Sequence, residues 1–186
     1  MITSGELRKG ITIELEGHLY HVLDYQHIKM GRGSAHVRLR LRDIRGGHTI
    51  ERTFQATEKF TQARLDYRSK QYLYNEGNLY YFMDEENFEQ VSLDSEQLGD
   101  VINYLKEGMS LQISSYKGEL VGVELPITVE LQVIDTDPGF KGDTATAGNK
   151  PAELESGITI QVPLFINKGD IIKVDTRSGS YLERVS

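Results

Sequence analysis

Ala35-His36-Val37-Arg38-Leu39-Arg40-Leu41-Arg42 alternates apolar and polar residues, and Lys29-Met30-Gly31-Arg32-Gly33-Ser34 runs directly into it. A period of two is the pattern of a strand with one face against a core and the other in water. Val37, Leu39 and Leu41 then belong to the buried face, and Arg38, Arg40 and Arg42 to the wet one. The glycines flanking Arg32 let the backbone pass through positive φ and approach a partner closely. The stretch therefore reads as a hairpin tip that presents one long cation. Arginine stays charged and offers a planar donor fork suited to phosphate. An ordinary glycine-rich turn with an exposed arginine fits the same residues.

The same period continues outward. Ile11, Ile13 and Leu15 alternate before Glu16-Gly17, Leu19 to Tyr25 follows, and Arg45-Gly46-Gly47 turns into a run from His48 to Phe54. Turn signals recur at Asn75-Glu76-Gly77-Asn78, Lys117-Gly118, Asp137-Pro138-Gly139, Asn167-Lys168-Gly169-Asp170 and Ser178-Gly179. Short strands at such spacing predict an all-β chain of small barrels or sandwiches. Leu98, Val101, Ile102 and Leu105 have helical spacing, with Asp94 or Ser95 to cap the start and Gly108 beyond the end. A short helical turn is also expected over 58–63. Lys9-Gly10, Glu107-Gly108 and Lys168-Gly169 each precede an alternating strand and then a second glycine turn, at Gly17, Gly118 and Gly179. This echo suggests repeated barrels. Boundaries near 62–65 and near Pro126 divide the 186 residues into three units, each near the lower size for independent folding.

Hydrophobic residues make up 38% and charged residues 26%, which predicts a folded chain. No apolar run is long enough to span a bilayer, and no basic-then-apolar leader opens the chain. With no cysteine there is neither a disulfide framework nor a thiolate metal site. A cytoplasmic location fits these features. The net charge of −7 is uneven: residues 1–63 carry +3, residues 64–129 carry −7 and residues 130–186 carry −3. All five histidines, His18, His21, His27, His36 and His48, lie in the first third. A polyanion can dock on such a basic head while the acidic remainder limits indiscriminate binding. A solvated strand face accounts for the charge equally well.

Nothing positive points to catalysis. Gly31-Arg32-Gly33 lacks the Gly-Lys-Ser/Thr ending of a phosphate loop and precedes a strand rather than a helix. His18 and His21 are three apart on a strand, hence on opposite faces, which disfavours a shared metal. Asp84-Glu85-Glu86 reads as an acidic turn after an apolar strand, and no Gly-x-Ser-x-Gly elbow is present. Tyr72, Tyr74, Tyr80, Tyr81 and Phe82 cluster around the 75–78 turn. Aromatics there can stack on bases, though cross-strand packing is the commoner use.

The C-terminal third carries longer motifs. Lys150-Pro151-Ala152, Gly157, Ile160, Val162-Pro163, Ile166 and Gly169 match the C-terminal signature of the bacterial elongation factor P family. The run from Val133 to Thr144, including Gly142, Asp143 and Thr144, resembles the same family, as does Gly169 to Tyr181. Arg52-Thr53-Phe54 and Tyr72-Leu73-Tyr74 fall where earlier family segments are expected, so the resemblance covers essentially the whole chain.

The resemblance implies three β-barrels in an L shape: an SH3-like (KOW-type) domain over 1–64 and two OB-fold domains over 65–127 and 128–186, with one short helix in the middle domain. It implies a monomeric translation factor, not an enzyme. Such a factor needs no cofactor and no metal, and it binds the 70S ribosome between the peptidyl and exit sites. There the first-domain loop reaches the acceptor end of peptidyl-tRNA and relieves stalling at consecutive prolines. Arg32 occupies the loop-tip position, supported by Met30, Gly31, Gly33 and Ser34. Many members have a lysine in Pro-Gly-Lys-Gly that is extended by a β-lysyl group. Here Arg32 offers no lysine amine, and Met30 replaces the proline. Another branch rhamnosylates an arginine through a glycosyltransferase, but usually has a different residue where this chain has Gly33. A bare and a rhamnosylated Arg32 both fit. Lys29, His36, Arg38, Arg40 and Arg42 are candidate contacts to tRNA and ribosomal RNA. By resemblance Gly142, Asp143 and Thr144 face the exit-site codon, and Tyr181 and Arg184 lie near the tRNA anticodon stem. The competing readings are a nucleic-acid-binding SH3-like/OB module that works off the ribosome and, with no residue set behind it, an enzyme.

Overall fold

A computed structural model describes residues 1–28, 33–139 and 148–186. Sixteen strands form three sheets, with a single α-helical turn among the described residues. The first sheet comprises β1 (Ile2–Thr3), β2 (Thr12–Leu15), β3 (His18–Ile28), β4 (His36–Asp43), β5 (Thr49–Gln55) and β6 (Lys59–Gln62), in the order β1-β6-β2-β3-β4-β5. The alternation around Leu39 has its expected outcome: Val37, Leu39 and Leu41 are fully buried. They pack with Leu7, Ile13, Val22, Phe54 and Phe60, and Phe54 and Phe60 meet edge to face at 4.9 Å. Ser4, wholly buried, ties the chain start to the end of β5 through Oγ–H donation to the Gln55 carbonyl at 2.5 Å.

The second sheet contains β7 (Asp66–Glu76), β8 (Leu79–Asp84), β9 (Gln90–Asp94), β10 (Ser110–Tyr116) and β11 (Glu119–Glu124), in the order β11-β10-β7-β8-β9. The third contains β12 (Thr128–Thr136), β13 (Asn149–Leu154), β14 (Thr159–Pro163), β15 (Ile171–Asp175) and β16 (Ser180–Arg184), in the order β14-β13-β12-β15-β16. Its edge strands β14 and β16 lie against each other. Leu131, Leu154, Val162, Ile166, Ile172 and Val174 form its dry interior. The chain divides into two compact units, Met1–Tyr67 with Ser114–Gly122, and Arg68–Ile113 with Val123–Ser186.

The glycine echo in the sequence has a shared geometry. Gly10, Gly108 and Gly169 have φ of 94°, 83° and 94°. Each sits third in a turn closed by a backbone bond from the next residue, Ile11 to Arg8, Met109 to Lys106 and Asp170 to Asn167. That is the position where a type II turn requires positive φ. Each glycine N–H then donates to a carbonyl on the long central strand, that of Val22, Tyr72 or Val133, at 2.8–2.9 Å. The same three residues return their N–H to the carbonyls of Ile11, Met109 and Asp170. Their strands shift register at the very next residue, Leu23, Leu73 or Ile134. A bulge of this kind bends a strand and increases its twist.

Two helical expectations are corrected. The stretch around Leu98 is not one α-helix through Leu105. α1 spans only Ser95–Leu98, capped by the Asp94 carboxylate, which accepts the Gln97 N–H at 2.9 Å. Gly99 at φ 54° ends it, and Gly99–Tyr104 continues as a 3₁₀ helix. With three residues per turn, Leu98, Val101 and Tyr104 align on one face. The helical turn expected over 58–63 is instead β6, which pairs with β1 and β2 and buries Phe60. Strand pairing there overrides local propensity. The aromatic cluster divides: Tyr72 and Phe82 are buried with ring centroids 5.4 Å apart, whereas Tyr74, 44% exposed, stacks on Tyr81 at 4.7 Å.

The acidic turn after β8 is anchored by Asp84, whose side chain is 1% exposed. Its carboxylate accepts the N–H groups of Glu86 at 2.9 Å and Asn87 at 3.3 Å, and pairs with Lys70 Nζ at 3.1 Å. Those bonds, led by the Glu86 N–H and the Lys70 ammonium, hold its pKa down to about 2.

Replacing Gly169 by alanine places a side chain at φ 94° with nothing crowding it. The expected cost is backbone strain alone, about 1–2 kcal/mol, read as a lower urea midpoint. Asp84 has a depressed pKa, so its stabilisation is complete above the ordinary carboxylate value of ~4 and fades as pH falls through about 2. Asp84→Asn should lower stability at neutral pH and flatten its decline between pH ~4 and about 2 in acid melts.

Candidate nucleic-acid interface

The outer face of β4 carries Arg38, Arg40 and Arg42, all exposed, behind a buried row of Val37, Leu39 and Leu41. Successive guanidinium stems on one strand face are about 7 Å apart. Cross-strand neighbours differ along the row. Arg38 lies between Gln26 and Thr53, Arg40 between Asp24 and Glu51, and Arg42 between His21 and Thr49. Arg40 is thus flanked by two carboxylates, and the other two arginines by uncharged partners or an imidazole. Asp24, Gln26, Arg38, Arg40 and Glu51 line an open cleft of about 260 Å³.

Three other arginines of the first unit, Arg8, Arg45 and Arg52, are engaged internally. Arg8 donates to the Gly5 and Leu7 carbonyls and lies over the Tyr25 ring at 5.4 Å. Arg52 pairs with Glu16 at 2.9 Å, and Arg45 with Glu119 at 3.3 Å. Among the described residues, Arg38, Arg40 and Arg42 have no ion pair. A row of unpaired guanidiniums on a rigid strand suits an anionic backbone, where contacts orient without reading sequence.

β3 and β4 part at the Ile28–His36 pair, and His36, Ser34 and Gly33 lead back into β4. Lys29, Met30, Gly31 and Arg32 lie outside the described residues, as do Gly142, Asp143 and Thr144. In the third sheet Tyr181 is half-buried against the core opposite Val174. Arg184 pairs with Asp170 at 3.8 Å, and its guanidinium lies 5.7 Å from the ring of Phe165, which is 58% exposed. Phe165 was not legible in the sequence as a surface aromatic, because it falls in a turn after β14 where no alternation assigns a face.

A larger cavity of about 470 Å³ is lined by His18, Asp43, Arg45, His48, Lys117 and Glu119, among others. Its charges are already paired: His18 Nδ1 meets Asp43 Oδ2 at 3.3 Å and Lys117 meets Glu14 at 3.5 Å. Burial pushes the Asp43 carboxyl up, but the Gly46 and Arg45 N–H groups, with His48 and His18 nearby, outweigh it and leave its pKa lowered. His21 faces elsewhere, toward Thr12 Oγ1 at 3.4 Å. No cluster of three or more potential metal-ligating side chains occurs among the described residues.

Three family models match the chain: the elongation factor P KOW-like domain over residues 3–60, the elongation factor P OB domain over 65–123, and elongation factor P, C-terminal, over 129–184. An elongation factor P from Thermoanaerobacter sp. is 54% identical over 185 residues, covering all of both chains. One from Moorella thermoacetica is 54% identical over 184 residues, 99% of this chain and all of the relative. Among solved structures, a eukaryotic translation initiation factor 5A from Methanococcus jannaschii has TM-score 0.52 at 21% identity, over 66% of this chain and 92% of that one. An eif-5a family protein from Naegleria fowleri has TM-score 0.53 at 17% identity, over 67% of this chain and 96% of that one. These two likenesses concern the fold.

Proposed function

The chain belongs to the elongation factor P family and is a translation elongation factor, and on that premise we propose that it is a positioning factor for peptidyl-tRNA. It binds the 70S ribosome between the peptidyl and exit sites, in the cytoplasm and as a monomer. We read it as three domains, 1–64, 65–127 and 128–186. Arg32 reaches the acceptor end of peptidyl-tRNA. Lys29, His36, Arg38, Arg40 and Arg42 follow along the acceptor backbone and ribosomal RNA. Gly142, Asp143, Thr144, Tyr181 and Arg184 serve the tRNA and exit-site codon end.

The observation that carries this reading is the unpaired arginine row on β4, continuous in sequence with the Gly31-Arg32-Gly33 tip. Proline is a constrained nucleophile because its ring locks φ and removes the backbone N–H. Productive alignment with the peptidyl ester is correspondingly rare. Holding two reactants near their attack geometry recovers a large share of such a barrier without any bond chemistry by the holder. The role asks for no metal or cofactor. It accommodates either a bare Arg32 guanidinium or one rhamnosylated by a glycosyltransferase, and the mass of the 29–42 peptide from native protein separates these states.

Arg32→Ala should abolish rescue of a Pro-Pro-Pro reporter while leaving the melting midpoint and ribosome pelleting close to the parent. Rescue at the parental level removes Arg32 from the mechanism. Ribosome affinity should also fall log-linearly with salt, by a slope of roughly 0.7–0.9 per phosphate contact. Binding to free RNA without preference for the 70S particle would instead support the off-ribosome module.

A further inference from the structure

Three described non-glycine residues have positive φ: Glu16 at 53°, Lys117 at 51° and Phe88 at 62°. Glu16 and Lys117 each precede a glycine at positive φ, 80° and 83°. They form two-residue hairpin turns, where that pair of conformations matches strand twist. Phe88 is different. Glu89 follows it, and a bulky residue in the left-handed region is an outlier. Such outliers persist where their surroundings over-determine them, and they cluster at functional surfaces.

The turn between β8 and β9 is held from its backbone side. The Phe88 N–H donates to the Asp84 carbonyl and the Asp84 N–H to the Glu89 carbonyl, both at 2.9 Å. The Asp84 carboxylate takes the Glu86 and Asn87 N–H groups, and Asn87 Oδ1 takes the Glu89 N–H at 3.0 Å. Ser69 and Ser110 hydroxyls both donate to the Glu85 carboxylate. None of these bonds uses the Phe88 ring. That ring is 68% exposed, more than any other large apolar side chain described except the chain-terminal Met1. The turn therefore holds an aromatic knob out in water, at a strained position, by bonds that do not need it.

The rim of the knob is acidic. Glu85, Glu86 and Glu89 surround it in sequence and are exposed. Arg68 answers Glu86 at 3.6 Å, while Glu85 is held by neutral hydroxyls and Glu89 by the Asn87 amide. A phosphate backbone is repelled by such a rim. A socket that is apolar at its centre and lined with lysine or arginine fits it, since aromatic anchors supply the affinity of an interface and complementary rim charge its orientation.

We infer that the Phe88 turn docks on a basic protein surface of the ribosome rather than on its RNA, an inference that rests on the translation-factor reading above. The factor then has two opposite kinds of contact, an arginine row for nucleic acid on β4 and an acid-ringed aromatic for protein between β8 and β9.

The test uses the full chain and 70S ribosomes carrying peptidyl-tRNA. Asparagine tolerates the left-handed region without glycine's extra chain freedom. Phe88→Asn should keep or raise the melting midpoint and weaken ribosome binding by about fivefold or more. With p-benzoylphenylalanine in place of Phe88, the photo-crosslink should fall on a ribosomal protein. A lowered midpoint would make the ring structural and overturn the inference. Undiminished binding, or a crosslink to ribosomal RNA or to nothing, would overturn it as well while the parent chain still binds. Failure of the parent chain itself to bind would overturn the translation reading and this inference together.

Discussion

The exchange of two backbone hydrogen bonds between a glycine turn and the residue before a bulge underlies each sheet. Gly10 with Val22, Gly108 with Tyr72 and Gly169 with Val133 make the same pair of bonds. A strand that curls around a small core must bend, and a bend disturbs the ladder on one side. Buried backbone groups tolerate little unpaired polarity. The turn supplies a donor and an acceptor where the bulged strand offers its own. Only a residue at ease with φ near 90° can sit at the third position of that turn, hence the glycines. The interior packing and the arginine row on β4 both presuppose the curvature that this arrangement holds.

Comparison of the three sheets gives the arrangement a further regularity. The second and third sheets have matching strand orders, β11-β10-β7-β8-β9 and β16-β15-β12-β13-β14. In both, the glycine-led strand follows the long bulged strand in sequence. In the first sheet the glycine-led strand β2 comes before β3, yet the neighbours β6-β2-β3-β4-β5 occupy corresponding places. One hydrogen-bonding device therefore serves two chain connectivities. The physical requirement lies in the pairing of a turn with a bend, whatever the route of the chain between them.

Much of this was legible in the sequence, for identifiable reasons. The β4 alternation assigned both faces correctly because each Leu–Arg step contrasts strongly in polarity. The glycine echo marked the turns but not Val22, Tyr72 and Val133, which look like any apolar strand residues and are defined only by what they pair with. The helix around Leu98 was overextended because spacings of three and four are both compatible with the apolar pattern, and Gly99 decides between them. β6 was not legible as a strand because Phe60 is its single buried residue, and one apolar position carries no periodicity. In the candidate interface, the arginine row was visible and its charge environment was not, since Asp24 and Glu51 come beside Arg40 only through register. Phe88 and Phe165 escaped because turns carry no alternation from which exposure can be read.

The polar make-up of β5, with Glu51 and Arg52 at its middle, has a consequence of another kind. β5 ends its sheet, so one side of its backbone faces outward without a ladder partner in that sheet. An open strand border of this sort is a template for another chain, and sixteen strands with only one α-helical turn among the described residues multiply the hazard. Glu51 and Arg52 place both signs of charge on that border, and Thr49, Thr53 and Gln55 keep most of the remainder polar. A second copy approaching in register would have to strip water from those groups before gaining any ladder. Pairing of β5 with a second copy of the chain is disfavoured accordingly.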